Sequence, residues 1–132
     1  MFFSSFADTL FAKSSDDELP AKLSSDSAIC KRQDSENVCT YSGKAELSQG
    51  TTNLQAQDIT IYKKAGSKIN KIVASGKQAH YNAILDNNQQ VNADAELITI
   101  YPDKKMMILE GNGQIIVGRD KYSGPHIEYK FK

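Results

Sequence analysis

At 132 residues the chain has the length of one domain, with room for a modest core. Lys plus Arg and Asp plus Glu number 16 each, so the formal net charge is +0; with no basic excess to hold a phosphate backbone, nucleic acid is not an expected partner. The mean hydropathy is −0.49, and no apolar run approaches the roughly 20 residues of a membrane-spanning helix.

In chain order, Met1–Ala12 (MFFSSFADTLFA) is apolar but short and is interrupted by Asp8. It reads as a truncated secretory signal peptide without a positive n-region, ending in Leu10-Phe11-Ala12. The alternatives are a mobile N-terminus or a short amphipathic helix. Lys13–Pro20 is a charged, Ser-rich lead-in. Residues 1–19 are therefore set apart as a leader, and residues 20–132 are read as a single β domain.

Cys30 and Cys39 stand at the two ends of CKRQDSENVC, whose polar centre is a turn signal. A hairpin centred between Asp34 and Ser35 places the two directly opposite each other, within reach of a disulfide in an oxidising compartment. The alternative is a pair of buried thiols.

From Ala21 onward the chain reads as strands and turns. The period of two is clearest in Tyr41, Gly43, Ala45 and Leu47, with Thr40, Ser42, Lys44, Glu46 and Ser48 polar between them. The expected strands are Ala21–Ser24, Ser27–Lys31, Asn37–Tyr41, Ala45–Ser48, Thr52–Gln55, Ile59–Lys63, Lys68–Ala74, Gln78–Ala83, Gln89–Ala93, Leu97–Tyr101, Lys105–Glu110, Gly113–Val117 and His126–Phe131. Turn chemistry at Ala65-Gly66-Ser67, Asp86-Asn87-Asn88, Pro102-Asp103-Lys104 and Arg119-Asp120 separates several of them.

The pattern also repeats. Thr40–Tyr62 lies without a gap over Ile108–Lys130, with Gly43 on Gly111, Gly50 on Gly118, Leu47 on Ile115, Ala56 on Gly124 and Ile59 on Ile127. Ile59-Thr60-Ile61-Tyr62 recurs letter for letter as Ile98-Thr99-Ile100-Tyr101. The unit is a hairpin with a small-residue turn. Many short strands at close spacing mean an all-β sandwich, barrel or rolled sheet.

Odd positions of the first hairpins and their later counterparts are expected to share the interior face: Cys39, Tyr41, Leu47, Ile59, Ile61, Met107, Leu109, Ile115, Val117, Ile127 and Tyr129, joined by Ile72, Ala74, Ile98 and Ile100. The Gly and Ala residues between them either bring backbones close or leave room for a guest. The C-terminal strand His126–Phe131 is expected to leave an open sheet edge suited to strand addition, with Ala21–Ser24 as the receiving edge.

No catalytic constellation is legible. His80 and His126 each sit among strand residues, and the two Cys and two His lack zinc spacing. Asp94 and Glu96 share one strand without a cleft, and Gly111-Asn112-Gly113 has no helix after it to make a phosphate loop. Neither an enzyme nor a cofactor nor a metal is expected.

The order Tyr41-Ser42-Gly43-Lys44-Ala45, Gln49-Gly50-Thr51, Leu54-Gln55-Ala56-Gln57-Asp58-Ile59, Ser75-Gly76-Lys77-Gln78-Ala79-His80-Tyr81, Val91–Tyr101, Leu109-Glu110-Gly111-Asn112-Gly113 and Ile127-Glu128-Tyr129 resembles the OstA-like family of lipopolysaccharide-transport proteins. The likeness runs from about Leu19 to Phe131. It implies an antiparallel sheet rolled into an open, V-shaped β-jelly roll with an apolar groove. It implies a periplasmic bridge that hands lipopolysaccharide from inner-membrane to outer-membrane components without bond chemistry. The groove residues it implies are Tyr41, Leu47, Ile59, Ile61, Ile72, Ile98, Ile100, Met107, Leu109, Ile115, Val117, Ile127 and Tyr129. The edge residues for head-to-tail stacking with other copies and with membrane partners are Ala21, Lys22, Leu23, Ile127, Glu128, Tyr129 and Phe131. The competing readings are a closed structural or adhesive β-repeat domain without lipid, and the periplasmic domain of another transport component.

Overall fold

The computed structural model describes residues 2–6, 21–64, 69–85 and 87–131. Among these, nine strands form one antiparallel sheet: β1 (Phe2–Phe6), β2 (Ala21–Ser25), β3 (Ser27–Gln33), β4 (Glu36–Gln49), β5 (Thr52–Lys64), β6 (Ile69–Ile84), β7 (Gln90–Tyr101), β8 (Met106–Val117) and β9 (Asp120–Lys130). From β4 to β9 each strand pairs with the next in sequence, as a meander. β2 and β3 lie end to end along β4, and β1 flanks β2. The leader reading falls largely on residues 1 and 7–20, which lie outside the described residues; Phe2–Phe6 is a strand.

The expected short strands merge in pairs into long ones. Asn37–Tyr41 and Ala45–Ser48 are two halves of β4, and β5, β6, β7 and β8 are assembled in the same way. The break expected between Tyr41 and Ala45 is a β-bulge. Register shifts fall at Ser42/Ala45, Gln55/Asp58, Ser75/Ala79, Asp94/Leu97 and Glu110/Gly113, and they line up across the sheet. Gly43 (φ 86°) with Lys44 (φ 49°), and Gly111 (φ 81°) with Asn112 (φ 53°), take the left-handed conformation that lets the strand step aside. True reversals follow at Gly50 (φ 58°) and Gly118 (φ 60°). The sequence repeat is thus a repeat of bulge and turn.

The bulges bend each strand, and the sheet rolls about that line. Tyr81 on β6 meets Phe131, just past β9, with ring centroids 5.8 Å apart. Phe131 also donates its N–H to Lys105 O at 2.7 Å and packs edge-on to Tyr129. One hydrophobic cluster fills the concave side.

The bulges also correct the single-parity expectation. β5, β6 and β7 each switch parity at the bulge, so in β5 Leu54 and Ala56 face inward before it and Ile59 and Ile61 after it. In β6 the inward set is Ile72 and Ala74, then Ala79, Tyr81 and Ala83; in β7 it is Val91, Ala93 and Ala95, then Ile98 and Ile100. A one-residue slip in a strand sends every later side chain to the other face. β4 and β8 keep their parity, with Tyr41, Ala45 and Leu47 inward in one and Met107, Leu109, Gly113 and Ile115 in the other.

Candidate functional site

The interior face is built of rungs, each a row of residues in register from strand to strand. One rung runs Ala28, Tyr41, Ile59, Ala74, Ile98, Leu109, Ile127. The next runs Cys30, Cys39, Ile61, Ile72, Ile100, Met107, Tyr129. On the other side of the bulges, Leu23, Leu47 and Leu54 continue through Tyr81, Ala93 and Ile115 to Tyr122. A last row holds Ala83, Val91 and Val117.

All thirteen residues expected in a groove therefore lie on the interior face, but their surroundings differ. Tyr41, Leu47, Ile59, Ile61, Ile72, Ile98, Ile100, Met107, Leu109 and Ile115 are buried. Val117, Ile127 and Tyr129 are only half-buried and pack against the edge of the cluster. The rungs are thus closed in the middle of the sheet and open toward β9, where Tyr122 is 57% exposed. Burial raises the Tyr129 phenol above its usual value near 10.

The small residues bring backbones together rather than hold a space open. Ala45 pairs with Ala56, Ala79 with Ala95 and Gly113 with Gly124, all beside the bulges where the sheet bends most. A Cβ on Gly113 would meet the Gly124 carbonyl oxygen at 3.1 Å and Leu109 Cβ at 3.2 Å.

Cys30 and Cys39 pair across the β3–β4 hairpin and are joined as a disulfide, with Cα atoms 4.0 Å apart. The edges differ from expectation in two places. Ala21, Lys22 and Leu23 are not at a free edge, because β2 lies between β1 and β4, and Leu23 is fully buried. Phe131 is buried and closes the roll against Tyr81 instead of lying along the edge. Ile127, Glu128 and Tyr129 do lie on β9, which among the described residues pairs on one side only. At the other end β3 likewise pairs only with β4, and its Ile29 is 63% exposed.

The polar side chains considered for chemistry sit on the outer face. His80 Nδ1 and Asp94 Oδ1 bond across β6 and β7. Glu96 accepts a hydrogen bond from Asn112 Nδ2 at 3.0 Å, one bulge facing another. His126 contacts Glu128 at 3.1 Å and Glu110 at 3.7 Å. The hydrogen bond to Glu128, aided by the charge of Glu110, raises its pKa above 6.5 despite some desolvation.

Sequence reasoning missed several interior residues. Leu54 and Tyr81 are fully buried yet fall on the far side of a parity switch; the Ala79, Tyr81, Ala83 alternation was the available signal. It also missed Arg32 and Lys63. Alternation along the hairpin puts them on the interior face one step beyond the disulfide.

The family model described as LptA/(LptD N-terminal domain) LPS transport protein matches residues 22–132. The lipopolysaccharide export system protein LptA of Escherichia coli K12 is 25% identical over 123 residues, which are 92% of this chain and 65% of that protein. LptA of Shigella flexneri gives the same figures. The chain thus spans just under two thirds of the curated relatives it matches. The crystal structure of LptH from Pseudomonas aeruginosa, described as the LptA-homologous periplasmic component of the lipopolysaccharide transport device, shares the fold. It superposes with a TM-score of 0.75 at 23% identity, over 89% of this chain and 80% of that one. With its bulged meander and the family match over nearly all of the β domain, the chain belongs to the LptA/LptD N-terminal domain family of lipopolysaccharide transport proteins.

Proposed function

We propose that this protein binds lipopolysaccharide in the periplasm and passes it along a bridge between the inner and outer membranes. Its interior rungs shield the acyl chains, and its free sheet edges join it to further copies and to membrane-bound partners. It performs no bond chemistry. The observation that carries the reading is the continuity of the two upper rungs, which cross the sheet from β3 to β9 without an inward charge and open at the β9 end. A domain that needed only a sealed core would have little reason to leave Ile127 and Tyr129 half-exposed at an unpaired edge.

Burying acyl chains contributes roughly 0.8 kcal/mol per CH₂, so one chain of about ten methylenes represents about 8 kcal/mol before ordering costs. The middle of the rungs is filled by its own side chains, with Ile59, Ile72, Ile98 and Leu109 at 0% exposure. Loading therefore starts at the open end and parts the two halves of the roll.

Head-to-tail stacking follows from the strand directions. Six antiparallel steps separate β3 from β9, so the two run the same way, and β9 of one copy meets β3 of the next as a parallel pair. That pairing would bring Ile127 and Tyr129 beside Ala28 and Cys30, extending both rungs across the junction.

The test is binding of intact lipopolysaccharide against its deacylated core oligosaccharide, measured by displacement of a fluorescent lipid. The reading expects saturable binding of the acylated form and none of the oligosaccharide. The buried middle of the rungs favours a second reading, a closed structural domain, and this is the answer if neither form binds to folded protein.

A further inference from the structure

The most deeply buried side chain at the β9 end of the interior stands outside the ladder. The last pair of β8 and β9 is Met106 with Lys130. Phe131 follows it, and its ring is buried, whereas Ile127 and Tyr129 on the strand itself are only half-buried. The ring reaches across the roll. Its centroid lies 5.8 Å from that of Tyr81, which belongs to the rung of Leu47, Leu54 and Ile115 on one side of the bulges. It lies 5.2 Å from that of Tyr129, edge-on, on the other side of them. The backbone there is tied by the hydrogen bond from Phe131 N–H to Lys105 O, and Lys105 is a left-handed turn residue (φ 50°) outside β8.

An apolar space between packed layers is filled to high density by whatever side chain reaches it. Phe131 supplies that filling where the rungs are most exposed. An acyl chain laid along Ile127 and Tyr129 toward the middle of the sheet meets its ring, and only one of the two can occupy the space. Burial of the ring is matched by burial of about two to four methylenes, so a chain of about ten methylenes more than offsets its release. The ring can also leave without loss of a strand, because Phe131 lies beyond the last ladder pair.

We propose that Phe131 is a displaceable latch: its ring ties the two halves of the roll together at the β9 end, and an entering acyl chain takes its place between Tyr81 and Tyr129. The inference rests on the lipid-carrier reading and names the residue that opens the path. Phe131 then opposes loading, in contrast to the rung residues, which favour it.

The experiment measures binding of monomeric dodecyl glucoside to the full chain by titration calorimetry, for the parent, Phe131→Ala and Ile127→Ala, with unfolding curves verifying that each variant folds. A second arm uses Phe131→Trp. The chain has no tryptophan, so its emission reports that position alone. The latch predicts about tenfold tighter binding by Phe131→Ala, since the chain no longer has to expel a buried ring. Ile127→Ala, which removes a rung side chain from the same strand, should bind no tighter than the parent. The emission of Phe131→Trp should move to the red and become more open to acrylamide quenching as dodecyl glucoside saturates. Weaker or unchanged binding by Phe131→Ala makes Phe131 a wall or core residue and overturns the latch, as does equal tightening by Ile127→Ala. Emission that stays blue and protected at saturation overturns it too, and this arm decides alone if Phe131→Ala does not fold. Each of these results leaves the carrier reading standing. Failure of both the parent and folded Phe131→Ala to bind overturns the carrier reading and the latch together.

Discussion

Replacing Gly111 by Ala tests whether the aligned bulges shape the sheet. Gly111 has φ 81°, and a Cβ there would lie 2.7 Å from Glu96 Oε1 and 2.9 Å from Glu96 Cβ. The left-handed backbone alone costs an alanine about 1–2 kcal/mol. A carboxylate oxygen could swing away, but Glu96 Cβ belongs to the bulge of β7 and moves only with that strand. Shifting it also breaks the 3.0 Å hydrogen bond from Asn112, at about 1 kcal/mol. The sum is about 2–3 kcal/mol, or a Tm lower by roughly 10 °C for a domain of this size. Urea and thermal unfolding followed by far-ultraviolet circular dichroism read both quantities. Gly124→Ala is the control, since nothing lies within 4 Å of its Cβ position, and it should change stability by less than about 0.5 kcal/mol. In a Glu96→Gly background the Gly111→Ala cost should fall to the backbone part, about 1–2 kcal/mol. Equal stability of Gly111→Ala and Gly124→Ala would refute the bulge account.

Three further outcomes follow from the packing and charges. Ile98→Ala removes a fully buried side chain between Ala74 and Leu109 and should cost about 2–5 kcal/mol in urea unfolding; Ile29→Ala, at a 63% exposed site, should cost less than about 0.5 kcal/mol. Cys30→Ser/Cys39→Ser opens the β3–β4 cross-link, whose sequence separation is 9, and should cost about 2–3 kcal/mol on the chain-entropy estimate, with no further change on adding a reductant. The His126 ring should titrate above 6.5 in a proton NMR series and move back toward 6.5 in Glu128→Gln. Because its folded pKa is raised, the stability it contributes is complete below pH 6.5 and is lost as the pH rises through the raised value.

Much of the architecture was legible because a two-residue period survives in every half-strand. The match of Gly43 with Gly111 and of Gly50 with Gly118 also carried real geometry, since each pair takes the same left-handed conformation. What the letters could not separate was bulge from turn. Gly followed by a polar residue serves both, and only the partner strand decides: Ser42 and Ala45 on β4 face Asp58 and Ala56 on β5, so the chain continues rather than reverses. That one ambiguity hid the long strands, and with them the parity switch that buries Leu54 and Tyr81. The hollow lined by Arg32 and Lys63 was obscured for a related reason. Arg32 and Lys63 are far apart in sequence and reach one hollow only through the pairing of Arg32 with Asn37 and of Asn37 with Lys63. The displaced receiving edge depends on β1 pairing with β2, and a sequence start resembling a leader gave no sign of that.

The central claim is that acyl chains run along the interior rungs. The most direct measurement places photo-crosslinking side chains at Ile61, Ile100 and Leu109 on those rungs, and at Thr60 and Lys44 on the outer face, and exposes each folded variant to lipopolysaccharide. Thr60 bonds outward to Thr40 at 3.2 Å, and Lys44 is exposed at the bulge. The account predicts adducts at the three rung positions and none at the two outer ones. Adducts confined to the outer face, or none at any position, would contradict it.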